Sequence, residues 1–516
     1  MQASDQNETI CFLGSPQAFG AERETAKIVS THISTVLLLG ARALKLKRAV
    51  RLPYIDLSTP ELRLAMCERE LKLNRRTAPQ IYRAVHRITR GHNGSLALNG
   101  EGELVDAALE MQRFDDEQLF DKQAQLQRLT PADMAGLAAA LAELHGVAAV
   151  STDAHGAGRV ERVLDVNERA FAAADLLPVE DVEHINAVCR ATLARHAELL
   201  DRRARDGKVR RGHGDLHLRN ICRIDGKPLL FDCLEFDEDL ATTDILYDLA
   251  FVLMDLWRRG LAALANILFN RYLDATGDEA GLRLLPFFMA IRAVVRAHVT
   301  AADSGRPELE RVAEAQAYLR LAHDLLAARR PMLVAVGGYS GSGKSTVAAA
   351  IAPALGPAPG ARIAASDRIR KRLCGVSPET RLPQEGYSDE VSGRTYAEMA
   401  VIAGNALAQG HAAIADAVFD RRSERERIEA VALAAGVPFR GLWLEAPEQV
   451  LVERVSARRG DPSDATPDIV RSQLARQGDP SDWTRLPSRM EPGLVVTAAL
   501  AAIGRPADRR VLVPSV

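Results

Sequence analysis

Residues 338–345, Gly-Tyr-Ser-Gly-Ser-Gly-Lys-Ser (GYSGSGKS), satisfy the pattern G-x-x-x-x-G-K-[ST] in full. Glycines at these spacings let backbone N–H groups close around a phosphate at a helix N-terminus. The lysine then reaches the β- and γ-phosphates, and the last hydroxyl can hold Mg²⁺. The candidate nucleotide-binding residues are therefore Gly338, Gly341, Ser342, Gly343, Lys344, Ser345 and Thr346. Lys344 is also a catalytic candidate, and Ser345 a metal ligand. The context agrees with this reading, because the apolar run MLVAVGG precedes the loop and an alanine-rich helix follows it. A short, fully apolar run is what a buried parallel strand requires.

Working outward, strand-like runs at 362–365, 412–415, 441–444 and 493–497 alternate with helical segments. Such alternation predicts βαβ units and an α/β P-loop NTPase domain with a parallel sheet. Two acids follow predicted strands, where an open parallel sheet presents its ligand crevice. Asp367, in AASDRIRKRL, is a candidate base for an acceptor hydroxyl; as a purely structural residue it would be a helix N-cap. Asp416, in AIADAVFDRR, is placed near Mg²⁺ or the acceptor. The basic segment ERVSARRG offers Arg454, Arg458 and Arg459, whose guanidinium groups suit a transferring phosphate, although a solvated charged helix reads the same way. Arg454 and Arg458 are the candidates on the nucleotide side. Together these motifs make residues 331–500 resemble the P-loop small-molecule and polynucleotide kinases of the AAA_33 type.

The loop begins about two-thirds of the way along a chain of 516 residues, and at about 100–200 residues per domain the upstream part is a domain of its own. Pro331 closes a predicted helix over 315–330, which puts the boundary between 1–328 and 329–516. Before residue 130, strand-like runs at 34–39, 43–46 and 107–112 accompany one strong helix over 60–77; from Pro131 the pattern turns helical. A short β-rich interruption at 211–236 carries HGDLHLRN and LLFDCLEFD.

HGDLHLRN places Asp215 five residues before Asn220, and Asp232 follows 12 residues after that. Phosphoryl transfer from ATP needs a carboxylate for the acceptor proton, a nearby amide for Mg²⁺ and a second carboxylate on the next strand. These residues resemble the aminoglycoside phosphotransferase family, whose fold is that of protein kinases. The resemblance implies Asp215 as catalytic base, Asn220 and Asp232 as metal ligands, Asp248 as a helix-capping or structural acid and a positional role for His213. It also implies an α+β, two-lobed, protein-kinase-like N-terminal domain. Upstream, the strand ALKLKRAV puts Lys45 and Lys47 on one face, and Lys45 is favoured for the α- and β-phosphates. Its ion-pair partner is Glu68 or Glu70 from CERELKLNRR, with Glu70 preferred. No G-x-G-x-x-G lies between Gly20 and Lys45. The whole chain resembles bacterial bifunctional aminoglycoside phosphotransferase/ATP-binding proteins.

Composition narrows the function further. With 47% hydrophobic and 26% charged residues the chain is an ordinary globular one, and a net charge of -2 argues against a nucleic-acid or anionic-membrane surface. Six scattered cysteines without a CxxC pair read as reduced thiols, and with no signal peptide or run of 18 apolar residues the expected location is cytoplasmic. The expected function is an ATP- and Mg²⁺-dependent phosphotransferase with two nucleotide sites, acting on small-molecule hydroxyls. Two alternatives have one domain act as a nucleotide-dependent switch on the other, or the P-loop half phosphorylate nucleic-acid 5′-hydroxyls. A scarcity of aromatic residues, 5%, leaves few stacking platforms for the last of these.

Overall fold

The computed structural model describes residues 6–15, 18, 27–31, 33–52, 55–173, 176–303, 305–457, 463–476 and 482–505. Packing divides the chain into two compact units, Met1–Val163 with Leu200–Val252, and Leu164–Leu199 with Leu253–Val516.

The first unit is built on an antiparallel sheet with the order β1-β2-β3-β8-β6-β7. Its strands are β1 (Lys27–Ser30), β2 (Ser34–Leu39), β3 (Arg42–Lys47), β6 (Tyr82–Arg90), β7 (Leu96–Leu98) and β8 (Glu103–Gln112), with β4 (Arg51–Leu52) and β5 (Ile55–Asp56) forming a small side ladder. The helix Pro60–Asn74 packs on this sheet. Thr59 caps its N-terminus by accepting from the Leu62 N–H, and Pro60 fits the first turn. Two short antiparallel pairs complete the β content: β9 (Val209–Arg211) with β12 (Thr242–Asp244), and β10 (Ile221–Ile224) with β11 (Lys227–Leu230). The turn between β9 and β10 carries HGDLHLRN.

The second unit centres on five parallel strands in the order β14-β15-β13-β16-β17. They are β13 (Leu333–Gly337), β14 (Arg362–Ala365), β15 (Ala413–Asp416), β16 (Phe439–Glu445) and β17 (Thr484–Pro487). All five residues of β13 are buried, as expected of a central strand covered on both faces. Helices Ala262–Thr276 and Leu285–Ala302 belong to this unit although they precede the boundary drawn from the motifs. Among the described residues one segment, Glu279–Ala302, is long and apolar enough to span a bilayer, but 72% of its most apolar window is buried inside the protein.

Two local expectations are corrected, and the capping alternative for Asp367 falls away. The run at 493–497 is not a strand but part of the helix Pro492–Ala502, whose buried Val495, Val496, Ala499 and Leu500 recur at helical spacing. The fifth strand is instead Thr484–Pro487. The helix expected over 315–330 spans Glu308–Leu326, so it stops ahead of Pro331. Asp367 does not cap its helix: Ala365 occupies the cap position with no side-chain bond, and Asp367 lies in the first turn.

Candidate active sites

In the first unit, Lys45 projects from β3 with its Nζ 2.8 Å from Glu70 Oε1 and 2.6 Å from Asp232 Oδ1. Alternation along β3 brings Lys47 to the same face, where its Nζ lies 2.5 Å from both Glu70 Oε2 and Glu235 Oε1. Burial alone would raise the Glu70 carboxyl, but the two ammonium groups outweigh it and hold Glu70 well below the usual range. Burial likewise opposes the charge on Lys45, yet Asp232 and Glu70 raise it well above an ordinary lysine. Glu235 behaves the other way: burial and the neighbouring carboxylates push it up against the pull of Lys47. Of the two acids expected as partner, Glu70 rather than Glu68 is the one that meets these lysines.

The catalytic-loop candidates converge on one turn. Asn220 Nδ2 donates to Asp215 Oδ2 at 3.0 Å and to the Asp215 carbonyl at 2.9 Å. With its amide nitrogen so committed, the Asn220 Oδ1 is the atom available to a cation, and Asp232 supplies a carboxylate on the following segment. Asp248 holds the loop from beneath by accepting the N–H groups of His213 at 2.7 Å and Gly214 at 2.9 Å. His213 Nε2 lies 2.9 Å from the carbonyl of Phe231, the residue that follows β11, which ties the loop to the end of that strand. Gly214 sits at φ +85°, and a Cβ there would stand 2.8 Å from Leu234 Cβ, so only glycine fits this turn.

Residues that the motifs did not point to complete the site. Tyr82 Oη accepts the Asp232 N–H at 3.0 Å, and Asn74 Oδ1 accepts the Cys233 N–H at 2.8 Å. Asn74 stands one helical turn beyond Glu70, which was the available signal; no local pattern joins Tyr82 to Asp232 or Glu235 to Lys47.

In the second unit the phosphate loop joins β13 to the helix Lys344–Ile351. Gly341 lies at φ +87°, and a Cβ there would approach the Leu451 carbonyl oxygen to 2.5 Å. Ser342 Oγ is buried with no hydrogen-bond partner, an orphan polar atom inside a loop of suitable shape for phosphate. Lys344 Nζ donates to the Tyr339 carbonyl at 3.2 Å. Asp416, at the carboxyl end of β15, accepts a hydrogen bond from Ser345. Burial raises its carboxyl although Lys344 and Ser345 pull the other way. The Asp416 carboxylate and the Ser345 hydroxyl are the oxygen donors here, and they fit Mg²⁺, which binds through one or two carboxylates plus substrate phosphates; Lys344 is left for the phosphates themselves. Arg454 NH2 donates to the Ser488 carbonyl at 2.7 Å, beside Gly341. Arg458 and Arg459 lie outside the described residues.

Around Asp367 stands a second group of polar side chains. Lys371, fully buried, meets Asp464 Oδ1 at 3.2 Å, and Tyr387 Oη donates to Asp464 Oδ2 at 2.8 Å. The Arg370 guanidinium lies over the Tyr387 ring at 4.8 Å. Burial, the bond to Asp464 and the nearby Asp367 charge all raise the Tyr387 phenol.

The sequence comparisons divide the chain in the same sense. Residues 49–285 match the phosphotransferase enzyme family (APH), and residues 333–480 match the AAA domain model AAA_33. An uncharacterized protein of Mycobacterium tuberculosis (strain H37Rv) is 31% identical over 467 residues, covering 86% of this chain and 89% of its own length. A Mycobacterium bovis protein matches equally. This chain belongs to the bifunctional aminoglycoside phosphotransferase/ATP-binding protein family. Among solved structures, a gluconokinase from Sinorhizobium meliloti 1021 is 25% identical, covers 34% of this chain and 93% of its own, and has a TM-score of 0.26. A choline kinase from Cryptosporidium parvum Iowa II is 11% identical, covers 63% and 96% respectively, and has a TM-score of 0.41. A member of this family combines a protein-kinase-like α+β region with an α/β P-loop domain, and it is a kinase that transfers phosphate from ATP to a hydroxyl.

Proposed function

We propose that the two motif sets are two separate transfer sites, one in residues 1–328 and one in 329–516, each phosphorylating a hydroxyl of a small molecule in the cytoplasm. What supports this most is that neither set is scattered: Lys45, Glu70 and Asp232 form one bonded chain, and Ser345 and Asp416 another. In the first site Lys45 would hold the α- and β-phosphates, with Glu70 fixing its ammonium. Asp215 would take the acceptor proton, and Asn220 and Asp232 would hold Mg²⁺. In the second, the Gly338–Thr346 loop with Lys344 would wrap the phosphates, Ser345 and Asp416 would hold Mg²⁺, and Asp367 would take the acceptor proton. Arg454 and Arg458 are the arginines proposed to act on the transferring group. When held by these residues, Mg²⁺ would supply neutralisation of phosphate charge at either site. The protein's contribution is then positioning, proton acceptance and a fixed field of donors.

The test is ATP-dependent phosphorylation of a library of hydroxyl-bearing metabolites by the wild type, Asp215→Asn, Lys344→Ala and the double variant. Each single change should suppress one set of products by about 10²-fold or more and spare the other, and the double variant should lose both. If wild-type ADP release proved independent of every acceptor, small-molecule transfer would be ruled out. Loss of all products in either single variant would replace two independent sites with one site and a switch.

A further inference from the structure

Strand β14 is an outer strand of the parallel sheet, so among the described residues one row of its backbone groups has no strand to pair with. The helix Ala262–Thr276 covers that row with amides. Asn270 Oδ1 accepts the Ile363 N–H at 2.7 Å, and Asn266 Nδ2 donates to the carbonyls of Pro359 and Ala361 at 3.0 Å each. Arg362 enters the same contact, only 1% exposed, and its NH1 meets Asp274 Oδ1 at 2.7 Å while its NH2 meets Glu279 Oε1 at 3.0 Å. The second oxygen of Asp274 faces Arg368 Nε at 2.6 Å. Arg368 directly follows Asp367 in the helix Ser366–Leu373, and its NH2 donates back to the Ile363 carbonyl at 3.1 Å.

A single carboxylate therefore grips the start of β14 through Arg362 and the first turn of the next helix through Arg368. Between those two points lies the strand-to-helix turn that carries Asp367. Burial would raise the Asp274 carboxyl, but Arg368 and Arg362 outweigh it and keep it charged. Glu279 shares only Arg362, so the two acids differ in one respect: Asp274 alone reaches the Asp367 turn.

We propose that Asp274 is a positioning residue for the C-terminal transfer site, clamping Arg362 and Arg368 so that Asp367 is held toward the acceptor. The proposal rests on the reading of Asp367 as that site's base. It makes a helix that precedes the P-loop motif part of the machinery of the P-loop site.

The experiment uses the full chain carrying Asp215→Asn, so that hydrolysis of ATP reports the P-loop site, with water as the acceptor. Asp274→Asn should speed hydrogen exchange of the 366–373 amides by about tenfold and lower kcat by about tenfold, with KM for MgATP within about twofold. Arg368→Met breaks the clamp from its more exposed side and should reproduce both effects, and the double variant should be no worse than either alone. Glu279→Gln should lower the unfolding midpoint while leaving exchange at 366–373 and kcat near the parent values. Unchanged exchange in Asp274→Asn, or a Glu279→Gln variant matching it in both readouts, would overturn the proposal. The base reading fails separately, if Asp367→Asn hydrolyses ATP at the parental rate while Lys344→Ala does not; the exchange measurement still decides whether Asp274 holds the turn.

Discussion

Lys45 and Lys47 leave β3 on the same face and share one carboxylate, Glu70, yet the site gives them different work. Lys45 is the one beside Asp232, whose side chain is 38% exposed, while Lys47 is closed in between Glu70 and Glu235 at zero exposure. Removing one partner of a buried ion pair leaves an uncompensated charge and costs about 3–5 kcal/mol. Lys47→Met should therefore lower stability by about that amount in urea unfolding. Lys45→Met should cost less stability and lower the rate of the first site by about 10²-fold or more. If Lys47→Met unfolds like the wild type, the network has been misread. Alternation on a strand made both lysines legible in the sequence, and kinase chemistry favoured Lys45. The role of Lys47 was not legible, because its partner Glu235 is 188 positions away and only the fold brings the two together.

At the level of elements, the phosphate loop shows how much a turn can specify. Gly341 and Gly343 both have positive φ, +87° and +88°, but a Cβ at 341 would strike the Leu451 carbonyl whereas one at 343 would meet open space. Each substitution by alanine carries the left-handed penalty of about 1–2 kcal/mol, and only Gly341→Ala adds a backbone clash. Thermal unfolding of the nucleotide-free protein should place Gly341→Ala below Gly343→Ala, and equal losses would refute the steric argument. The loop was legible because its chemistry is local. The 493–497 run was not, because GLVVTAAL has the β-branched look of a strand while its buried positions follow a helical period set by packing. Thr484–Pro487 was missed for the opposite reason: a four-residue strand with a single buried residue, Leu486, gives no apolar run to read.

Across the whole molecule, motifs and packing partition the chain by different criteria. Sequence chemistry separates the two nucleotide motifs near residue 328, while packing groups Leu253–Val516 with Leu164–Leu199, and within that unit amides of the Ala262–Thr276 helix seal β14. Long-range seals of this kind leave no local pattern, so they could not be read beforehand. The same unit contains two histidines held uncharged. Burial lowers His411 to about 4, against the smaller opposing effect of its bond to the Leu282 carbonyl, and burial with Arg296 lowers His298 to about 4. An unfolded histidine titrates near 6.5, so the unfolded chain binds these protons first as pH falls. The stability from the two neutral rings is thus complete above about pH 6.5 and is lost progressively toward pH 4, by roughly 2 kcal/mol for each ring at pH 5. Urea unfolding of the second unit should accordingly weaken between pH 7 and pH 5. His411→Gln keeps a donor for the Leu282 carbonyl but cannot titrate, so it should remove about half of that difference; a variant with the full wild-type loss would show that other groups carry it.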